Sequence, residues 1–233
     1  MQAKSFFYSV YRDVLDLFYP RLCAACDDVL AADEGFICLN CRFSLPETGF
    51  HNEQYHELEK VFWGRVNIKY ALAFYFFRKS SKVQHLLHNI KYKEQKEAAV
   101  EAGRWYGSQL LQDGFSFDCI VPVPLHERKL RARGFNQSAF FGQGMAEGLA
   151  IPMDTDSVMR AIFNPTQTKK SRYARWKNVE DIFRLQPGHE LDNKHVLLVD
   201  DVVTTGSTLE ACARAVLRAN GAKVSIATLA YAG

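Results

Sequence analysis

Apolar residues in this chain recur with two different periods, and the two alternate along it. Phe6, Val10, Val14, Leu17 and Phe18 fall at helical spacing and Pro20 ends the run, which predicts an amphipathic packing helix over residues 4–19. From Lys69 onward, short apolar runs alternate with helical ones. Tyr70–Phe77 (YALAFYFF) reads as an aromatic-rich strand; Val83, Leu86, Leu87 and Ile90 then recur at helical intervals, and Ala98–Leu111 continues as a helix. Asp118–Pro124 reads as a second strand closed by proline, Ser138–Leu149 as a helix in spite of its glycines, and Lys194–Val199 as a third strand. Leu209, Cys212, Ala213, Val216 and Leu217 share one face of a helix that Asn220-Gly221 stops, and Val224–Ala230 supplies one more strand. Such alternation predicts an α/β fold, a mostly parallel sheet flanked by helices, with ligands at the carboxyl ends of its strands.

The stretch before Lys69 has a different texture. Residues 21–46 are cysteine-rich, and a polar connection from His51 to Lys60 follows them. For 233 residues this predicts a small N-terminal module over 1–55 and a larger domain over 60–233. A content of 48% hydrophobic and 24% charged residues can bury a core, which excludes disordered, collagen-like and disulfide-stapled classes. The net charge of +3 is too mild to mark a nucleic-acid binder by itself. Arg12, Asp13 and Asp16 interrupt the most apolar N-terminal stretch, which speaks against a membrane span and against a signal peptide. Six cysteines in that context point to a reducing compartment, and the cytoplasm is the expected location.

Four of those cysteines form two matched pairs, Cys23-Ala24-Ala25-Cys26 and Cys38-Leu39-Asn40-Cys41. At this spacing two knuckles present four thiolates tetrahedrally to one ion, zinc in preference to iron. Four closed protein ligands leave no position for substrate water, so the expected role is structural, stabilising a module too small to hold a core alone. Cys119 and Cys212 lie on predicted buried elements and read as core residues.

Val196-Leu197-Leu198-Val199-Asp200-Asp201-Val202-Val203-Thr204-Thr205-Gly206-Ser207-Thr208 carries the most chemistry. Four apolar residues make a buried strand, two carboxylates stand at its end, and small hydroxyl residues with a glycine open a helix. Unpaired N–H groups at a helix N-terminus, together with hydroxyl donors, cradle a phosphate, while the carboxylates accept hydrogen bonds from sugar hydroxyls or from water on Mg2+. A ribose 5-phosphate fits that description. An ordinary strand-to-helix turn needs one capping residue, whereas this one has four. The nucleoside-triphosphatase reading of an acidic strand end requires a GxxxxGK[ST] loop, and the chain contains no Gly-Lys pair.

Val196–Thr208 looks like the phosphoribosyl-pyrophosphate (PRPP) binding motif of type I phosphoribosyltransferases. Taken with the cysteine quartet, and with Val121-Pro122-Val123-Pro124-Leu125-His126 leading to Arg133-Gly134-Phe135-Asn136-Gln137, it makes the chain resemble the ComF/GntX family over essentially its whole length. The resemblance implies a type I phosphoribosyltransferase fold with a small N-terminal zinc-ribbon-like module. It implies that Asp200 and Asp201 hold the ribose 2- and 3-hydroxyls, that Val203, Thr204, Thr205, Gly206, Ser207 and Thr208 surround the 5-phosphate, and that Mg2+ accompanies PRPP. The turn Pro122–His126 would face pyrophosphate, with Pro124, Leu125, His126 and Arg133 as its site residues and Arg128, Lys129 and Arg131 beside them. Residues 164–183 resemble the hood loop of this fold, with Thr166, Gln167, Arg172, Arg175 and Asn178 at matching positions, and Arg175 joins Asp200 and Asp201 as a catalytic candidate. The same loop also reads as a surface hairpin, or as a nucleic-acid-facing loop on which Tyr173 and Trp176 could stack bases. His85 and His88 read as a surface pair, and the cations from Arg78 to Arg104 as a solvated face.

Three functions remain open at this point. The first is a PRPP-binding, phosphoribosyltransferase-like protein serving single-stranded DNA uptake in natural transformation, with transfer at ribose C1. The second is a non-catalytic adaptor for single-stranded DNA or competence proteins that senses PRPP or a nucleotide. The third is an amidophosphoribosyl-type or salvage transferase of nucleotide metabolism.

Overall fold

Buried β-branched and aliphatic residues alternate faces along the central strand, and this alternation builds the molecule. A computed structural model describes residues 19–93, 95–160 and 182–233. The expected helix over residues 4–19, apart from Tyr19, and most of the 164–183 stretch, Arg175 included, lie outside the described residues. Strands β1 (Ala71–Phe76), β2 (Cys119–Pro122), β5 (His195–Val203) and β6 (Lys223–Tyr231) form one sheet in the order β1-β6-β5-β2. Every pairing in it is parallel, as strand–helix alternation predicts. A second, two-stranded antiparallel sheet pairs β3 (Val158–Arg160) with β4 (Phe183–Leu185). Those three-residue strands are too short for periodicity to reveal.

On β5, Leu197 and Val199 face one core while Val196 and Leu198 face the other, and all four are fully buried. Successive strand residues point to opposite faces, so each face needs its own cover. One cover consists of α3 (Lys82–Tyr92), α4 (Lys96–Gln112) and α6 (Gln137–Leu149), introduced after the short α1 (Leu39–Ser44) and α2 (Glu57–Lys60). The other consists of α7 (Ser207–Val216), the segment from Phe50 to Phe62 and the β3–β4 pair; α5 (Glu127–Arg133) lies between β2 and α6 in the chain. The glycines of α6 have a packing role. A Cβ on Gly148 would stand 2.5 Å from Arg104 O, and one on Gly107 of α4 would stand 2.6 Å from Met145 O, so the two helices touch backbone to backbone.

The cysteine segment shares the first core. Cys23, Ala24, Ala25, Ile37, Cys38 and Cys41 are buried with Val83, Leu86, Ala98 and Ala102 of α3 and α4. Polar contacts lock this junction. Asn89 Nδ2 donates to Ala24 O at 2.9 Å from a fully buried side chain, and Phe36 N–H donates to the Glu101 carboxylate at 2.6 Å. His85 is not merely half of a surface pair, because its Nε2 stands 3.0 Å from Asp27 Oδ2 in the first knuckle; His88 stays exposed. Among the described residues no helix is long and apolar enough to cross a membrane.

Candidate functional site

The central strand outruns its neighbour. β2 ends where Pro122 pairs with Val199, whereas β5 continues through Asp200, Asp201 and Val202 to Val203. The strand therefore extends past its expected end at Val199, and the acids are strand residues rather than the start of the turn. On the β6 side the ladder continues, with Asp200 opposite Thr228 and Val203 opposite Tyr231. Where β2 stops, the chain leaves through Val123, whose N–H still reaches Val199 O at 2.8 Å, so β5 carries its two carboxylates past the end of its neighbour. This is the position at which parallel sheets bind ligands.

The two acids differ in environment. Oδ1 of Asp200 accepts Ser138 Oγ–H at 2.7 Å and the Asp201 N–H at 2.8 Å. Burial and the neighbouring Asp201 charge nevertheless push its carboxyl up to about 7, with those two donors and Lys91 opposing the shift. Burial likewise lowers the Arg160 guanidinium, while Asp200 opposes that change. Asp201 Oδ2 instead meets the Lys91 ammonium at 2.7 Å. One carboxyl is thus poised near neutrality and the other is held by a cation.

After Val203 the side chains of Thr204, Thr205, Ser207 and Thr208 are exposed, and Thr205 Oγ1 lies 3.1 Å from Ser207 Oγ. Gly206 occupies the N-cap of α7 with no side-chain cap, so the first N–H groups of that helix keep their donors for a ligand. Glycine is required there twice over. Its φ is +71°, and a Cβ would stand 2.8 Å from Val61 Cγ1 and 2.9 Å from Phe62 Cε1. Arg65 braces the loop from outside, donating to Thr205 O at 2.8 Å through Nη1 and to Glu210 Oε2 at 2.8 Å through Nε.

The turn after β2 is tied to the same acids. Asn136 Nδ2 donates to Val123 O at 3.0 Å while its Oδ1 caps α6 through Ser138 N–H, and Ser138 in turn holds Asp200. The run Arg133–Gln137 therefore joins the turn to the acidic strand. Pro124, Leu125 and His126 are half-buried, and His126 Nδ1 caps α5 by accepting the Arg128 N–H. Of the four cations that follow, Arg128, Lys129 and Arg131 are exposed; Arg133 is half-buried, with its Cζ 5.4 Å from the Tyr92 ring centroid and Nη1 bonded to Gln137 Oε1 at 2.6 Å.

The cysteines form a separate cluster. The Sγ atoms of Cys23, Cys26, Cys38 and Cys41 lie within 4.8 Å of one another, with Cys26 and Cys38 3.7 Å apart. Four sulfurs about 2.3 Å from a tetrahedral ion stand about 3.8 Å apart, so the cluster is already near the size of a metal site. Cys23 Sγ accepts N–H groups from Cys38 at 3.3 Å and Ala25 at 3.4 Å. Burial pushes the Cys41 thiol up to about 11 and also raises Cys26, whereas backbone donors hold Cys23 below its ordinary value in spite of its burial. A divalent cation would reverse the rise by binding thiolates. These residues could hold a zinc ion. Cys119 and Cys212 are buried on β2 and α7, as expected of core residues.

Sequence reasoning singled out Asp200, Asp201 and the loop, which the structure gathers at the end of β5 and the start of α7, but not the Lys91, Ser138, Arg65 and Arg160 that surround them. Lys91 had read as part of a solvated face, and Arg65 contacts a loop 140 residues away in the chain. Only Ser138 carried a usable signal, as the residue whose N–H the Asn136 cap accepts.

Residues 136–233 match the model of the phosphoribosyl transferase domain. The chain is 31% identical over 218 residues to the DNA utilization protein YhgH of Escherichia coli (strain K12), covering 91% of each chain. It is 38% identical over 93 residues to competence protein F of Haemophilus influenzae, covering 40% of this chain and 41% of that protein. With competence protein ComFC of Bacillus subtilis it shares 33% over 111 residues, 47% of this chain and 43% of the other. A solved structure of glutamine PRPP amidotransferase from B. subtilis aligns over 61% of this chain and 30% of its own at 18% identity and a TM-score of 0.43, too remote to bear on the site.

Proposed function

This chain belongs to the ComF family, and from that premise we propose that the carboxyl end of β5 binds a ribose 5-phosphate ligand, PRPP with Mg2+ in the first instance. The observation that carries the reading is the outrun of β5. It delivers two carboxylates beyond the end of β2 and leads into a helix N-terminus with no side-chain cap, beside exposed hydroxyls. Asp200 and Asp201 accept the sugar hydroxyls, and Val203 to Thr208 supply N–H and O–H donors to the 5-phosphate. Pro124, Leu125, His126 and Arg133 stand on the pyrophosphate side. Bound Mg2+ would neutralise the leaving pyrophosphate during displacement at C1. Positioning and charge neutralisation then account for the protein's part, with Arg175 of the 164–183 stretch as a further catalytic candidate. In this reading the four-cysteine cluster holds structural zinc, anchoring the segment that grips α3.

The family relatives are named for DNA utilization and competence, and we place the ligand site in the handling of incoming single-stranded DNA. The exposed cations Arg128, Lys129 and Arg131 beside the site suit a polyanionic partner. Calorimetry with PRPP and Mg2+ tests the binding claim. Heat should be seen with the wild type and lost when Asp200→Asn and Asp201→Asn are combined; no heat for PRPP or any ribonucleotide would end the proposal. Pyrophosphate release with candidate acceptors separates a transferase from a sensor. Salt-dependent binding of single-stranded DNA, weakened by neutralising Arg172, Arg175 and Lys177, tests the nucleic-acid role.

A further inference from the structure

We infer that Lys91 is a specificity-determining residue of the site at the end of β5, directing it toward ribose 5-phosphates that carry an anionic group at C1. The inference rests on the ribose 5-phosphate reading above. Lys91 sits in the last turn of α3, and its Nζ lies 2.7 Å from Asp201 Oδ2, with the two side chains 20% and 19% exposed. An ammonium carries three N–H donors, and among the described residues Asp201 is its one hydrogen-bonding partner. The remaining donors meet no acceptor among the described residues, which leaves ligand or water to satisfy them.

The helix end that carries Lys91 contacts both β5 and the end of α5. Lys91 meets the strand acid, and the adjacent Tyr92 lies under the Arg133 guanidinium on the side of the Pro124–His126 turn. Asn89, two residues earlier, is bonded to Ala24 O, so the helix end is anchored to the cysteine segment rather than to solvent. An anchored helix gives the lysine a defined position. When sugar hydroxyls engage Asp201, the carboxylate can still accept the ammonium through its other lone pairs, and Lys91 turns its free donors toward whatever C1 carries. A diphosphate at C1 completes that set with charge-assisted hydrogen bonds; the neutral hydroxyl of ribose 5-phosphate does not.

The experiment is calorimetric titration of PRPP with Mg2+ and of ribose 5-phosphate into wild type, Lys91→Met and Lys91→Arg. Wild type should prefer PRPP. Lys91→Met should weaken PRPP about ten- to a hundredfold more than it weakens ribose 5-phosphate. Lys91→Arg should keep most of the preference, because the charge is retained. Should Lys91→Met fail to fold, Lys91→Gln, which can still donate to Asp201, should give the same loss of preference. An unchanged affinity ratio in a folded neutral variant, or an equal loss for both ligands, would overturn the role of Lys91. Absence of binding by the wild type to either ligand would instead overturn the site reading itself.

Discussion

Replacing Asp200 by asparagine separates the stability cost of this buried acid from its use. The hydrogen bonds to this carboxyl from Ser138 Oγ at 2.7 Å and from Asp201 N–H at 2.8 Å both go to Oδ1, so an asparagine carbonyl can keep them. What the substitution removes is charge. Burial and the Asp201 charge move the carboxyl from its ordinary 3.8 to about 7. At about 1.4 kcal/mol per tenfold change in proton affinity, the ionised form is on the order of 4 kcal/mol less favourable in the folded chain than in the unfolded one. An acid whose folded pKa lies above its unfolded value binds its extra proton in the native state between the two values. The penalty is therefore complete above about pH 7 and fades as pH falls toward 3.8. At about pH 8, Asp200→Asn should raise Tm by several degrees, since about 2–4 °C per kcal/mol sets a ceiling near 15 °C. At about pH 5 the gain should shrink to less than half, and ligand binding should be lost at both. Differential scanning fluorimetry at the two pH values, paired with calorimetry, reads all three outcomes. A lower Tm at the higher pH, or the same gain at both, would refute the reasoning, because the charge would then carry no burial cost.

The same titration predicts that wild-type affinity for PRPP rises between about pH 6 and pH 8, as Asp200 loses the proton that competes with sugar hydroxyls, and calorimetry across that range checks it. Gly206→Ala should cost more than Gly114→Ala. Both positions have positive φ, +71° and +83°, but only the first would drive a Cβ against Val61 and Phe62. The strain common to both is about 1 kcal/mol and the collision adds about 1–3 kcal/mol, so urea midpoints that fall equally would show that the loop is not wedged. Metal analysis should find about one zinc per chain, and Cys38→Ser should lose it together with stability, since Cys38 Sγ also accepts the Cys41 N–H at the start of α1. A metal-free Cys23→Ser variant that folds fully would contradict the structural assignment.

What the sequence made legible follows from the range over which each signal acts. Val196–Val199 and the face formed by Leu209, Cys212, Ala213 and Val216 report burial through local period, and the structure buries both sets. The cysteine pairs and the Asp-Asp-Val-Val-Thr-Thr-Gly-Ser run are also local, so chemistry and spacing sufficed to bring them together. The end of β5 was misjudged because a carboxylate inside a strand looks like the end of one; its ladder to Thr228 and Tyr231 lies on β6, out of reach of any local pattern. β3 and β4 were invisible for a related reason, since each acquires its strand character only by pairing with the other across the 161–181 segment. Lys91 and Arg65 define the harder class. Nothing about a lysine on an amphipathic helix distinguishes a solvated ammonium from one docked 2.7 Å from an acid 110 residues later, because the distinction depends on where another element of the fold arrives. The Thr204–Thr208 loop shows the consequence. Its hydroxyls and glycine belong to one continuous run, but its shape depends on Val61, Phe62 and Arg65, which belong to another. A variant in that outer brace should therefore weaken ligand binding without touching any motif residue.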